Sequence, residues 1–137
     1  MKLFTSFVTP GRIKECCDNN ILPIIILRSI RNSSVLANFS DTPIHFKELA
    51  PSNGLYRLIR DKKIDFEEYS REYRKELSAP TLLSSSLDKL KILMELCNTD
   101  SAVFLAYGSD DKISHRSILR DIIYDSGLLG DIKIEEL

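Results

Sequence analysis

Two histidines and three cysteines are all that this chain of 137 residues offers for soft metal ligation or thiol chemistry. Cys16 and Cys17 are adjacent and Cys97 stands alone, so there is neither a C-x-x-C pair nor a disulfide framework. A zinc-ligand pattern is missing as well, and no metal site is expected. The thiols read as reduced and buried. A surplus of either charge is lacking too. The 19 Lys and Arg against 20 Asp and Glu leave a net charge of −1, which withholds bulk electrostatic support from a nucleic-acid surface. No apolar run reaches spanning length, since Ile21 to Leu27 is far too short. The N-terminus reads as a strand rather than a secretory signal. No membrane partner is expected, and a cytoplasmic location is the default. P-loop, G-x-G-x-x-G, G-x-S-x-G and H-E-x-x-H patterns are all absent, and no cofactor is called for.

What is present is an ordinary globular composition, 43% hydrophobic and 28% charged, in a length that suits one domain over residues 1–137. Lys2 to Val8 reads as a strand stopped by Thr9-Pro10-Gly11. A helix from Pro10 to about Asn19 follows, with Ile13, Cys16 and Cys17 as its apolar stripe. Leu22 to Leu27 is apolar and β-branched, as a strand buried on both faces should be. The next stretch, Arg28 to Thr42, is polar and turn-rich and carries Arg28 and Arg31 just past that strand.

The middle of the chain is helical in pattern. Pro51 suits the first turn of a helix to about Arg60, with Leu55, Leu58 and Ile59 inward. Asp65 with Glu68 three residues on forms a capping box, flanked by Ile64 and Tyr69 at the staple positions. The helix it starts should run to Leu77 with Phe66, Tyr69, Tyr73 and Leu77 on one face. That aromatic stripe reads as core. After Ala79-Pro80, a helix over about 81–97 turns Leu83, Leu87, Leu90, Met94 and Cys97 inward. Ser101 to Tyr107 is then a strand, and Ser114 to about Ser126 a helix. On that helix His115, Ile118, Leu119, Ile122 and Ile123 share one side, with Arg116, Arg120 and Asp121 nearer solvent. Residues 131–135 alternate as a last strand. A β-α-β unit, a helical middle and a second β-α-β unit make an α/β fold: a Rossmann-like three-layer sandwich with a mostly parallel sheet.

In such sheets ligands sit beyond the carboxyl ends of the strands, where strand order reverses. If the first strand and the strand at 101–107 are neighbours, Thr5, Ser6, Tyr107 and Gly108 gather at one place. The helix beginning at Ser114 points its free N–H groups there and favours an anion. A guanidinium from Arg116 or Arg28 would add a bidentate donor. Ser114 beside His115 is a poor nucleophile–base pair, because consecutive helical residues do not face each other, and it reads as the N-cap. The His115 ring either hydrogen-bonds a backbone carbonyl or faces a ligand as an acid–base group. Asp110 and Asp111 read as solvated turn residues.

Several segments together resemble the domain of unknown function 488 family. They are Lys2-Leu3-Phe4-Thr5-Ser6, then Lys47-Glu48-Leu49-Ala50-Pro51-Ser52 with Leu55, which is similar to the family's "ELAPS" segment. Lys63-Ile64-Asp65-Phe66-Glu67-Glu68-Tyr69, followed by Tyr73 and Glu76-Leu77, resembles its "G-I-x-x-E-E-Y" helix. Val103-Phe104-Leu105-Ala106-Tyr107 with His115-Arg116 resembles its "LLCYE…CHR" signature. Ala106 and Ser114 stand where the family usually has cysteines, and Gly108 where it has a glutamate. The resemblance implies a Rossmann-like fold with a pocket around His115 and Arg116, without the family's thiols.

The expected function is therefore a binding protein for an anionic small molecule of the nucleotide or phosphosugar class, held by Thr5, Ser6, Arg28, Tyr107, Gly108, Ser114, His115 and Arg116. Two other readings compete with it. One is an enzyme on a nucleotide or nucleoside-like substrate, with His115 as catalytic acid or base. The other is an interaction module whose pocket is vestigial. A homodimer is the default expectation for so small an α/β domain.

Overall fold

The computed structural model describes residues 1–28, 44–107 and 114–137. Their strands form one five-stranded sheet. The strands are β1 (Lys2–Phe7), β2 (Ile21–Ile25), β3 (Ile44–His45), β4 (Ser101–Ala106) and β5 (Ile134–Glu136). Spatial order is β3-β2-β4-β1-β5, and every pairing is parallel. The fold is thus the α/β, Rossmann-like sandwich expected from the pattern, with a sheet that is wholly rather than mostly parallel.

The central strand explains the composition of its neighbours. β4 has a strand on either side and protein on both faces, so Ala102 to Ala106 are all buried and all apolar. β2 contains Pro23, which cannot donate to a ladder. Among the described residues β3 pairs with Ile24 and Ile25 and not with Pro23, so no described strand on that side asks Pro23 for a donor.

Among the described residues five α-helices flank the sheet: α1 (Pro10–Asp18), α2 (Asn53–Arg60), α3 (Phe66–Leu77), α4 (Leu82–Leu96) and α5 (His115–Ser126). Their ends follow capping chemistry. The Thr9 hydroxyl accepts from Arg12 N at 3.0 Å at the start of α1. Asp65 accepts from Glu68 N at 2.8 Å at the start of α3, as the capping box requires. α5 ends on Gly127 at φ +68°, the left-handed cap position where a Cβ would be strained.

The start of α2 differs from expectation. Ser52, not the segment at Pro51, caps it, accepting from Leu55 N at 3.2 Å. Glu76 of α3 then receives Ser52 N at 2.8 Å and Ser52 Oγ at 2.5 Å. This ties α2 to α3 and fixes both over the carboxyl ends of the strands. Because α2 packs mainly against α3, its apolar stripe is narrow. Leu55 is buried and Ile59 partly so, but Leu58 is 43% exposed rather than inward.

Three further expectations are corrected. Cys17 and Cys97 are exposed thiols and only Cys16 is buried, because Cys97 is the C-cap residue past the last turn of α4. Arg116 is not near solvent but fully buried. The last strand starts at Ile134, later than residue 131, since Gly130 at φ +68° still belongs to a turn. Gly108, Asp110, Asp111, Arg31 and nearly all of the 28–42 segment lie outside the described residues.

Candidate functional site

The order of strands decides where a cleft can open. From β2 the chain moves outward to β3; from β4 it moves the opposite way, past β1, to β5. The two departures diverge, so a crevice is left between β2 and β4 at their carboxyl ends. A cavity of about 190 Å³ lies there. Leu27 and Arg28 line it from the end of β2, and Tyr107, Ser114 and His115 from the end of β4 and the start of α5. Pro51, Asn53, Tyr56 and Ile59 close it from the α2 side, and Tyr69 from α3. β1 and β4 are neighbours as anticipated, but the cavity is on the other flank of β4.

His115 donates through Nε2 to the carbonyl of Ile26 at 2.7 Å. A carbonyl can only accept, so Nε2 carries the proton and Nδ1 is the lone-pair nitrogen. The ring meets Tyr73 edge-on, with centroids 5.9 Å apart and planes at 89°. Burial pulls the His115 pKa down to about 4; the Ile26 bond opposes this and the adjacent Arg116 charge adds to it. At neutral pH the imidazole is therefore neutral. His45 makes the matching contact one residue on, hydrogen-bonding the Leu27 carbonyl. The two imidazoles hold consecutive carbonyls at the end of β2 and set the direction in which Arg28 leaves it.

Arg28 lies over the first turn of the α2 region. Its Nη2 donates to Ala50 O at 3.0 Å and its Nε to Pro51 O at 3.3 Å. Both acceptors are carbonyls. Among the described residues it has no carboxylate partner, and it lines the cavity. Tyr69, only 4% exposed, adds a hydroxyl that no described residue hydrogen-bonds. Burial raises the pKa of Tyr69 and of Tyr73, so both remain phenols.

Three residues expected in the site stand elsewhere. Arg116 is bound to Glu136 of β5, Nη2 to Oε1 at 3.0 Å and Nε to the two oxygens at 3.3 and 3.4 Å. Thr5 Oγ1 donates to Glu136 Oε2 at 2.6 Å, and Ser6 Oγ to Leu137 O at 3.5 Å. These groups form a polar core on the β1–β5 flank and do not line the cavity. They reach it indirectly: Arg116 Nη1 and Ser114 Oγ both donate to Tyr107 O at 3.4 Å, holding the backbone from which the Tyr107 side chain enters. Ser114 accepts from Arg116 N at 3.4 Å, the cap role read from the sequence.

Sequence reasoning missed the walls contributed by Asn53, Tyr56, Ile59 and Tyr69. Tyr69 was placed in the aromatic core stripe, which is correct for its ring and silent about its hydroxyl. Among the described residues no group of three or more His, Cys, Asp or Glu side chains is placed to hold a metal ion. No helix among them is long and apolar enough to cross a membrane.

Sheet order and cavity together define a Rossmann-like α/β protein with a small polar–aromatic cleft at its switch point. A family model described as the active DUF488-N3 subclade matches residues 25–127, more than half of the chain. The chain belongs to the domain of unknown function 488 family. No curated protein and no solved structure matches it.

Proposed function

We propose that the chain is a binding protein for an anionic small molecule of the nucleotide or phosphosugar class, held in the cavity between the ends of β2 and β4. The observation that carries this reading is Arg28: a guanidinium beside the cavity that, among the described residues, donates only to carbonyls, with donor positions left over. A phosphate or carboxylate is the group that complements it best. Tyr56, Tyr69 and Tyr107 supply aromatic surface for a ring. The volume of about 190 Å³ is below the roughly 300–1,000 Å³ of drug-sized pockets and suits one ring or one sugar better than a dinucleotide. Of the two guanidinium candidates, Arg28 takes this role, since Arg116 is ion-paired with Glu136. Free thiols suit a reducing compartment, and the cytoplasm, where such ligands circulate, is the location we assign.

The state of His115 favours binding over acid catalysis. A neutral ring whose only proton is given to Ile26 has none to donate into the cavity, and a pKa of about 4 makes it a weak base.

A thermal-shift panel of nucleoside monophosphates and phosphosugars tests the reading on wild type and Arg28→Gln. At least one compound should raise the Tm of wild type, and Arg28→Gln should bind it at least about tenfold more weakly, the worth of one lost charge-assisted hydrogen bond. A compound that stabilises both proteins equally places the anion site elsewhere.

A further inference from the structure

The cavity has poles of opposite hydrogen-bonding character. Arg28 can only donate. His115 offers Nδ1, which hydrogen-bonds nothing among the described residues. That nitrogen is not sealed in: the one buried side-chain polar atom lacking a partner among the described residues is Arg12 Nε. The tautomer is fixed from behind. Ile26 O needs a donor, and moving the proton from Nε2 to Nδ1 would aim a lone pair at it, while a ring flip would leave it facing a carbon. Tyr73 packs at right angles to the ring, and its hydroxyl is itself anchored on the Leu49 carbonyl. Arg116, next in the helix, discourages a second proton.

We infer that His115 Nδ1 is a specificity-determining acceptor, so that the cavity takes anions that also carry an N–H or O–H donor and discriminates against anions that only accept. This rests on the anion-binding reading and narrows its ligand class. A nucleoside monophosphate or a sugar phosphate satisfies both poles. An anion of the same size with its donors capped leaves Nδ1 facing a methyl group or another lone pair, and an unmade buried hydrogen bond costs about 1–3 kcal/mol.

The test is a double-mutant cycle by calorimetry. The probes are uridine 5′-monophosphate and its N3-methyl, 2′,3′-di-O-methyl analogue, which keeps ring and phosphate but has no donor on base or sugar. The proteins are wild type and His115→Phe. Capping should weaken binding at least about tenfold in wild type and no more than about threefold in His115→Phe, where no acceptor remains to be disappointed. An equal penalty in both proteins would show that the methyl groups act by bulk and would overturn the inference. If neither probe binds wild type, the anion-binding reading falls and this inference with it. Because His115→Phe also gives up the Ile26 contact, a nitrogen-15 spectrum of the wild-type imidazoles provides a second check independent of folding. His115 should show a protonated Nε2 and a bare Nδ1 at neutral pH, assigned against His45→Gln; a protonated Nδ1 contradicts it.

Discussion

Glu136→Ala should destabilise the fold by about 3 kcal/mol. Arg116 is fully buried, whereas Glu136 is 31% exposed. Removing the carboxylate takes an ion-pair partner from a buried guanidinium and takes away the acceptor of Thr5 Oγ1. Removing the arginine instead leaves a carboxylate that can turn partly to water. Arg116→Met, close in volume, should therefore cost less than Glu136→Ala. Urea unfolding of both variants measures the difference; the midpoint should fall with an unchanged slope. A loss of under about 1 kcal/mol for Glu136→Ala would mean that the pair behaves as an ordinary surface bridge.

Acidification from pH 6.5 to 4 should remove about 3 kcal/mol of stability through His115 alone. Its folded pKa is lowered to about 4 from an ordinary 6.5. Between those values the unfolded chain takes up a proton that the folded chain refuses, so stability falls as pH falls through this window. Above pH 6.5 both states are neutral, and below pH 4 both are charged, so the contribution is level on either side. The mechanism is desolvation, since charging the ring means placing a cation in the core beside Arg116. His115→Gln, which keeps a donor for Ile26 O, should be the flatter of the two curves across this window. Parallel curves for wild type and variant would show that His115 titrates near its ordinary value.

The parts of the fold that were legible were those governed by local periodicity. The cap at Asp65, the stripe of Tyr69, Tyr73 and Leu77, and the doubly buried run of β4 each follow from a few neighbouring residues. The resemblance to the family, read from Leu49-Ala50-Pro51-Ser52 and His115-Arg116, was also sound. Arg116 was misplaced because a helical pattern ranks residues by hydropathy. It cannot see a carboxylate that arrives from β5, twenty residues on, and makes a buried position acceptable to a cation. The flank of the site was misjudged for a related reason. Adjacency of β1 and β4 was inferred correctly, but the cleft depends on where the connections from β2 and β4 diverge, which is a property of the whole strand order. The tyrosine walls came from α2 and α3, whose docking is set by contacts such as Glu76 with Ser52, across 24 residues of sequence.

The location of the site is the central claim, and amide shift mapping with uridine 5′-monophosphate tests it most directly. The expected perturbations centre on Arg28, Asn53, Tyr56, Tyr107 and His115, and leave Thr5, Ser6 and Glu136 unmoved. Perturbations that cluster instead on Thr5, Ser6 and Glu136 would place the ligand on the β1–β5 flank and contradict it.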